Sequence, residues 1–551
     1  VRQAPPHLLE LRLRLRHPAR PFRDVEVTVK KAVCVIGAGP SGLIAMKELL
    51  DEGHTVTCFD HNADLGGVFR AGAGTDEPGA YDSTLLTISN YMMAFSCFPP
   101  PEKQERRFWT AIEYRQYLHD FADAFGLRQL IRPRTDVLSV ARSDSGEGYV
   151  VETAPVDDPT ARISHQFDAV VVSSGTHRVP NKINLPGQED FTGVVTHSAF
   201  YRNAEPFRGK RVLCLGIGET AADVVNEIAQ VAASCTLSVR RWQSVVARFP
   251  GDRPHPNDAY TSEMLNALPL AAATAVHRVG TLLGKRFGKT AASRAIAEWN
   301  SHNKSFFNHF LTKNEAFIHR IVDGTLTVNA SGIERLGADH VVFKDGRRET
   351  IDTIVLNTGY TEDFTLLKDV HITDVRQMYK HMIHPELGTG VVFIGWARPA
   401  AGGVPACSEM QARYFALLCS GKRTLPPPDQ LDQLIKRQAA YEDEFFTGNP
   451  ELRTLVHYNR YMIDFARVIG CSPWRPEVFR NPRLAYHLWC GSQVPLVFRL
   501  NGPHSDRVNA ERRILELPVA FNAAEIVLAT ALTGVTRALG AVGLVKRDGV
   551  Y

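Results

Sequence analysis

The chain has 551 residues, 44% of them hydrophobic and 22% charged, with a formal net charge of +4. That length leaves room for about two to four domains and a cleft between them, and the composition is that of a folded rather than a disordered protein. A charge so near neutral, without a basic stripe interleaved with aromatics, argues against a nucleic-acid binder. Nine cysteines are scattered with no Cys-x-x-Cys. This argues against a disulfide framework, a zinc ribbon and a redox dithiol, and leads us to expect a reducing, cytoplasmic setting.

The opening residues 1–30 alternate leucine and arginine from Leu11 to Arg16 but hold no apolar core long enough for a secretory signal; they read as a disordered extension. From Lys31 the pattern is strand (to Ile36), glycine turn (Gly37, Gly39, Gly42), helix (Leu43 to about Leu50) and strand (Thr55–Phe59), ending at Asp60. A further strand covers Asp168–Ser173, and proline-rich sequence after it marks a crossover between domains. A second strand (Arg211–Leu215), turn (Gly216, Gly218, Ala221), helix (through Asp223 and Ile228) and strand (Cys235–Val239) follow, ending at Arg240 and Arg241. Residues 255–312 read as a helical insertion. The strand Asp352–Leu356 is expected to return the chain to the first domain. Strands alternating with helices predict parallel sheets.

Each glycine of the first turn has a physical task. Gly37 permits the tight bend, Gly39 lets backbone approach a pyrophosphate, and Gly42 lets helix and strand pack closely. The helix start then directs its positive end, from Pro40 and Ser41 onward, at the phosphates. Asp60 lies eighteen residues beyond Gly42, near the offset of a carboxylate that holds a ribose hydroxyl. The second turn runs through Glu219 and Thr220 to Ala221, which stands at the third glycine position and is still small enough for close packing. Arg240 and Arg241 replace the carboxylate that would favour NADH, and guanidinium groups there suit a 2′-phosphate. The second site is therefore assigned to NADPH.

Between the two turns stands Phe191-x-Gly193-x-x-x-His197-x-x-x-Tyr201, followed by Arg202. On this spacing the chain resembles the flavin-containing monooxygenases, of the class B flavoprotein monooxygenases. Tyr201 stands where the related Baeyer–Villiger enzymes usually carry Trp, and His197 reads as structural. The resemblance extends to Leu65–Phe69, similar to the family's second FAD-binding turn (Gly66, Gly67 and Phe69, the last in place of Trp), and to Tyr81–Ser83 through Met92, Met93 and Pro99. It also takes in Asn357–Tyr360 with Gly359, the segment from Glu409 through Gln411 to Arg413, and the segment from Arg499 through Gly502 to Pro503. In all it covers about residues 31–518. Thr87 falls where many members carry an Asn that positions NADP and the reactive oxygen adduct. A hydroxyl cannot replace an amide's paired donor and acceptor, so Thr87 is the candidate catalytic residue and coupling is in question.

The resemblance implies an α/β fold of two Rossmann-like dinucleotide-binding domains, the NADPH domain inserted into the FAD domain. FAD would occupy 31–178 and 351–518, NADPH 179–350, with 519–551 an apolar tail. It implies an NADPH- and O2-dependent monooxygenase of the N,N-dimethylaniline type. Such an enzyme oxygenates a soft nitrogen or sulfur nucleophile, a small amine or sulfide, through a flavin C4a-hydroperoxide. Alternatives are an uncoupled NADPH oxidase releasing hydrogen peroxide and a Baeyer–Villiger enzyme acting on a ketone. No metal site is expected. In the tail, Glu525 and Arg537 interrupt the apolar run, leaving less than the roughly 20 residues a spanning helix needs. A peripheral membrane contact and a homodimer stay open.

Overall fold

The computed structural model describes residues 29–541, except 71, 73, 75, 304–310 and 447–451; the reading of the first residues as a disordered extension lies outside them. In chain order the strands that position the site are β1 (Ala32–Ile36), β2 (Thr55–Phe59), β3 (Leu85–Ser89), β4 (Ile131–Arg132), β5 (Ala169–Val172), β6 (Val194–His197), β7 (Arg211–Leu215), β8 (Ser234–Ser238), β9 (Leu326–Asn329), β10 (Thr353–Leu356) and β11 (Val391–Phe393). Two five-stranded parallel sheets result, ordered β11-β5-β1-β2-β4 and β6-β10-β7-β8-β9. The two-dinucleotide α/β fold is thus present. The central strands β1, β5, β7 and β10 are nearly continuous runs of buried β-branched and aliphatic residues, the composition of a sheet covered on both faces.

One expectation is corrected. The strand at 353–356 does not return the chain to the first sheet: Thr353–Leu356 lies between β6 and β7 in the second. The crossing back comes just after it, where Tyr360 and Thr361 pair with Val179 and Pro180. An apolar four-residue run fits the centre of either parallel sheet, and its partners, not its composition, decide which one takes it.

Helix α1 (Pro40–Asp51) follows β1, and α2 (Glu219–Val231) follows β7. Helix α1 begins three residues before Leu43, because Pro40 fits a first helical turn. The insertion is helical, chiefly α3 (Leu270–Phe287) and α4 (Ala291–Ser301). A long buried helix, α5 (Val404–Cys419), packs against α1 and forms the centre of the largest core. The tail forms α6 (Ala523–Ala541). It is tied to the body by Arg253–Glu525, by a bond from Trp489 Nε1 to Thr530 Oγ1 at 3.2 Å, and by Tyr260 edge-on to Phe521. Among the described residues no helix is long and apolar enough to cross a membrane.

Candidate active site

The first turn has the contacts its glycines require. Gly37 has φ +101°, and a Cβ there would meet Ser173 O at 2.7 Å; a Cβ on Gly42 would sit 1.8 Å from Gly37 O. Helix and strand can approach this closely only without side chains. Gly39 faces Gly67 across the cleft, where Gly67 has φ +60° and its Cβ would lie 3.3 Å from Gly39 Cα. The two glycine loops 28 residues apart in sequence therefore make one cradle. Asp60 ends β2, buried, with Oδ2 accepting from Ala38 N at 2.6 Å and Oδ1 from Asn62 N at 2.7 Å. It braces the turn as well as lining the cleft.

The helix starts are the feature that fits a dinucleotide. A helix leaves its first N–H groups without internal partners, and a side-chain acceptor commonly serves them. The helix Ala111–Ala124 has a full capping box from Thr110 and Glu113. In contrast α1 starts from Gly39 and α2 from Gly218, and neither has a side-chain cap. Both leave their positive ends available to an anion. Beside the second turn, Asn357 is half-buried, and neither its amide nitrogen nor its oxygen meets a hydrogen-bonding partner among the described residues. Asn357 O lies 2.9 Å from where a Cβ of Gly216 (φ +86°) would be. An orphaned amide at the edge of a glycine bend is a polar contact waiting for a ligand.

One cavity of about 890 Å³ joins the two cradles. At one end lie Gly37, Gly39, Pro40, Ser41, Asp60 and Gly67; at the other, Ser198, Glu219, Thr220, Lys313, Tyr360 and Arg398. Phe69, edge-on to Tyr114 at 4.9 Å, and Thr87, half-buried on β3, also face it. Of the other positions singled out from sequence, Gly42, Gly66, Gly216, Gly218, Ala221 and Gly359 shape the backbone behind the wall. Arg240 and Arg241 are exposed just beyond β8, away from the cavity lining.

Glu219, Asp223 and Glu227 fall four residues apart, which puts all three on one face of α2. That face meets the first domain. Lys313 Nζ lies 2.6 Å from Glu219 Oε1. Asp223 accepts from Tyr81 Oη and Asn314 Nδ2, and Glu227 from Ser83 Oγ and Tyr201 Oη. His197, buried at the end of β6, accepts from Ala199 N through Nδ1 at 2.9 Å and stands edge-on to Tyr360 at 5.9 Å. Tyr201 and His197 thus take part in the packing that joins the domains.

Sequence reasoning missed Lys313, His177 and Arg398. Arg398 stands five residues after β11, and its backbone N donates to Thr454 O at 2.8 Å. Burial pulls its guanidinium down to about 10, with Glu219, Glu362 and Tyr360 acting the other way. Burial, reinforced by Arg398, pulls His177 down to about 3. Glu362 is pushed up to about 7, by burial and then by Asp374. The only signal in the sequence was a lone Arg after an apolar strand, too common to single out.

The C-terminal landmarks have a structural role. Arg499 bonds Glu48 and Glu409 at 2.7 Å each and Ser96 Oγ at 2.7 Å, all buried, while Arg413 donates to Phe498 O and Pro503 O at 3.1 Å each. Among the described residues, the one cluster with metal-ligand geometry is Glu48, Cys97 and Glu409. Its two carboxylates already share the Arg499 guanidinium.

Comparison with known proteins agrees with this architecture. The family described as "FMO-like: Flavin-binding monooxygenase-like" matches residues 30–517. A 4-hydroxybenzoate brominase (decarboxylating) of Pseudoalteromonas luteoviolacea is 36% identical over 501 residues, 89% of this chain and 93% of that protein. Human flavin-containing monooxygenase 2 is 30% identical over 501 residues, covering 86% and 89%. Among solved structures, S-allyl-L-cysteine S-oxygenase from Allium sativum superposes with a TM-score of 0.59 at 21% identity, covering 89% of this chain and 99% of that one. At that identity the likeness speaks for the fold.

Proposed function

Since the chain belongs to the flavin-binding monooxygenase-like family, we propose that it is an NADPH- and O2-dependent monooxygenase that oxygenates a soft nucleophile. Its cofactors are FAD and NADPH. The observation that carries this reading is one cavity that reaches both glycine turns of the two parallel sheets, each turn opening a helix without a side-chain cap. One cavity gives a flavin and a nicotinamide a common space.

FAD would be held by Gly37, Gly39, Ser41 and Gly67, with Asp60 offering a carboxylate to its ribose and Phe69 a further part of the wall. Once bound, it supplies the hydride acceptance and oxygen activation that side chains cannot. NADPH would be held by Gly216, Gly218, Glu219 and Thr220, with Arg240 and Arg241, beyond β8, available to its 2′-phosphate. Thr87 offers one hydroxyl at the wall where oxygen transfer takes place, and Leu86, Ile88 and Met93 keep that part of the wall apolar and water-poor.

The preferred acceptor is a nitrogen or sulfur nucleophile, as in the S-oxygenase and dimethylaniline-type relatives. A halide is a second soft nucleophile. It is favoured by the higher identity of the bacterial brominase, 36%, against 30% for the human monooxygenase. The test is purified, FAD-loaded protein given NADPH and isotopically labelled dioxygen. One reaction contains a thioether, another contains bromide with 4-hydroxybenzoate. A labelled sulfoxide supports the first acceptor and a brominated phenol the second. NADPH consumed only into hydrogen peroxide, whatever is added, would overturn both and leave an oxidase.

A further inference from the structure

We propose that the side-chain amide of Asn357 is a further contact for NADPH, taking the ribose hydroxyls of its nicotinamide half. This rests on the NADPH reading of the second cradle and adds a residue that neither glycine turn contains.

Strand register fixes where Asn357 stands. Leu356, the last residue of β10, is opposite Leu215 of β7 on one side and His197 of β6 on the other. One residue further on, Asn357 is level with Gly216, where the second turn begins, and with Ser198, which lines the cavity. Its backbone is held in place. Asn357 N donates to Leu215 O at 2.8 Å, and Asn181 grips the next two residues, its N donating to Gly359 O at 2.9 Å and its Nδ2 to Thr358 O at 3.3 Å. Ligands of open parallel sheets bind beyond the carboxyl ends of the strands, and this is such an end. A Cβ added at Gly218 or at Gly359 would meet no atom within 4 Å, so the turn on one side and the chain on the other border open space.

The amide itself is unmatched. Nδ2 and Oδ1 are both closed to water, and neither has a hydrogen-bonding partner among the described residues. Leaving such a group unmet opposes folding, and an apolar residue of like size would serve the strand end better. A phosphate oxygen only accepts, and would leave Oδ1 unmet. A pair of sugar hydroxyls both donates and accepts, and satisfies the whole amide. The order of the strands chooses which sugar. Arg240 and Arg241, assigned to the 2′-phosphate, lie beyond β8 on one side of β7; Asn357 lies beyond β10 on the other. A dinucleotide whose pyrophosphate crosses the start of α2 puts its adenosine over the first and its nicotinamide ribose over the second. On binding, a change of χ1 rotamer brings the amide to that ribose and exchanges two unmet groups for two satisfied ones.

The test is equilibrium dialysis of the whole, FAD-loaded protein against NADP+ and against adenosine 2′,5′-bisphosphate, which keeps the adenosine half and lacks the nicotinamide ribose. N357A should weaken NADP+ by about five- to thirtyfold, the scale of one or two neutral hydrogen bonds, with bisphosphate binding and flavin content unchanged. Without NADP+, its thermal unfolding should come no lower than the parent's, because the amide it removes has no partner to lose. An NADP+ affinity equal to the parent's overturns the contact. So does an equal loss for both ligands, which places the defect outside the nicotinamide half. A lower unfolding temperature without NADP+ overturns it too, making the amide a bond of the fold. Should N357A not fold, N357L, which keeps the bulk without the polar atoms, is read in the same way, and failure of both to fold counts against the proposal. A parent that binds neither ligand sinks the NADPH reading itself; a parent that binds both, with N357A unaffected, sinks the Asn357 contact alone.

Discussion

Two glycines three residues apart should fail in different ways when replaced by alanine, and the pair isolates flavin binding from folding. Gly39 has φ −74°, a value alanine adopts freely, and its new Cβ would lie 3.6 Å from Gly67 Cα, an ordinary contact. Exchanging Gly for Ala at an N-cap costs up to about 1 kcal/mol beyond that. G39A should therefore fold, with a stability within about 1 kcal/mol of the parent. The added methyl, however, stands between the helix N–H groups and any pyrophosphate. Losing two charge-assisted hydrogen bonds removes about 3–6 kcal/mol of binding, a drop in FAD affinity of roughly a hundred- to ten-thousandfold. Gly42 is the reverse case. A Cβ there would lie 1.8 Å from Gly37 O and 2.9 Å from Ser173 Oγ, and the first of these is backbone that cannot turn aside. Prising α1 from β1 costs at least the 1–3 kcal/mol or so of a typical overpacking change, before any ligand is present. Thermal unfolding of flavin-stripped protein measures the first quantity, and titration of FAD fluorescence measures the second. Parent-like flavin affinity in G39A would refute the cradle; parent-like stability in G42A would refute the helix–strand contact.

Charge reversal at Arg240 and Arg241 should raise the KM for NADPH by about ten- to a hundredfold and leave that for NADH nearly unchanged; equal changes would remove the 2′-phosphate assignment. T87A should raise the hydrogen peroxide formed per NADPH consumed while flavin content stays constant, and an unchanged peroxide fraction would make Thr87 only a packed wall residue. Acid should destabilise the protein through Glu48. Burial pushes this carboxyl up, but Arg499, Lys47 and Arg413 pull it further down, to about 2. A carboxyl depressed on folding contributes its full stability above its unfolded value of about 4.3 and loses it as pH falls towards about 2. E48Q should thus be about 3–5 kcal/mol less stable at neutral pH, with a shallower loss of Tm between pH 5 and 3 (roughly the titration window). A parallel slope in parent and variant would assign the acid sensitivity elsewhere.

The parts of this fold legible in sequence are those where the backbone itself is under constraint. Gly37 and Gly42 have to be glycine for the reasons their missing side chains show, and Gly39 answers to the ligand rather than to the fold, so the motif carries its own explanation. In the second turn Gly216 is held in the same way (φ +86°), and Ala221 is buried at 2% exposure, a place where alanine still fits. Strand membership was less legible. Val355 and Leu356 look the same in composition whether they pair with β1 or β7, and only long-range pairing put them in the second sheet. Least legible was Arg398, because its surroundings come from four places. Glu219 is 179 residues before it and Lys313 is 85, with His177 and Tyr360 elsewhere again. No local pattern encodes a charge balance of that kind. The stripe formed by Glu219, Asp223 and Glu227 was in principle readable from its four-residue spacing, but nothing in the sequence tells such a stripe from an ordinary solvated helix face.

That stripe bears on how the two cofactors are treated differently. The FAD cradle rests on the largest apolar core, with α1 packed on α5 and the Glu48–Arg499–Glu409 network sealed beneath it. Parting those elements would strand buried charges, which is costly. The second cradle meets the first domain differently, through hydroxyl–carboxylate bonds from Tyr81 and Ser83 to α2, and its own core is a separate cluster. Ser83 and Glu227 are close enough to solvent that water can replace their bond at little cost. The contrast matches the chemistry proposed. A flavin must stay in place through many turnovers, whereas the nicotinamide must be exchanged in each. A rigid apolar floor under one, and a polar seam beside the other, provide for both within one cavity.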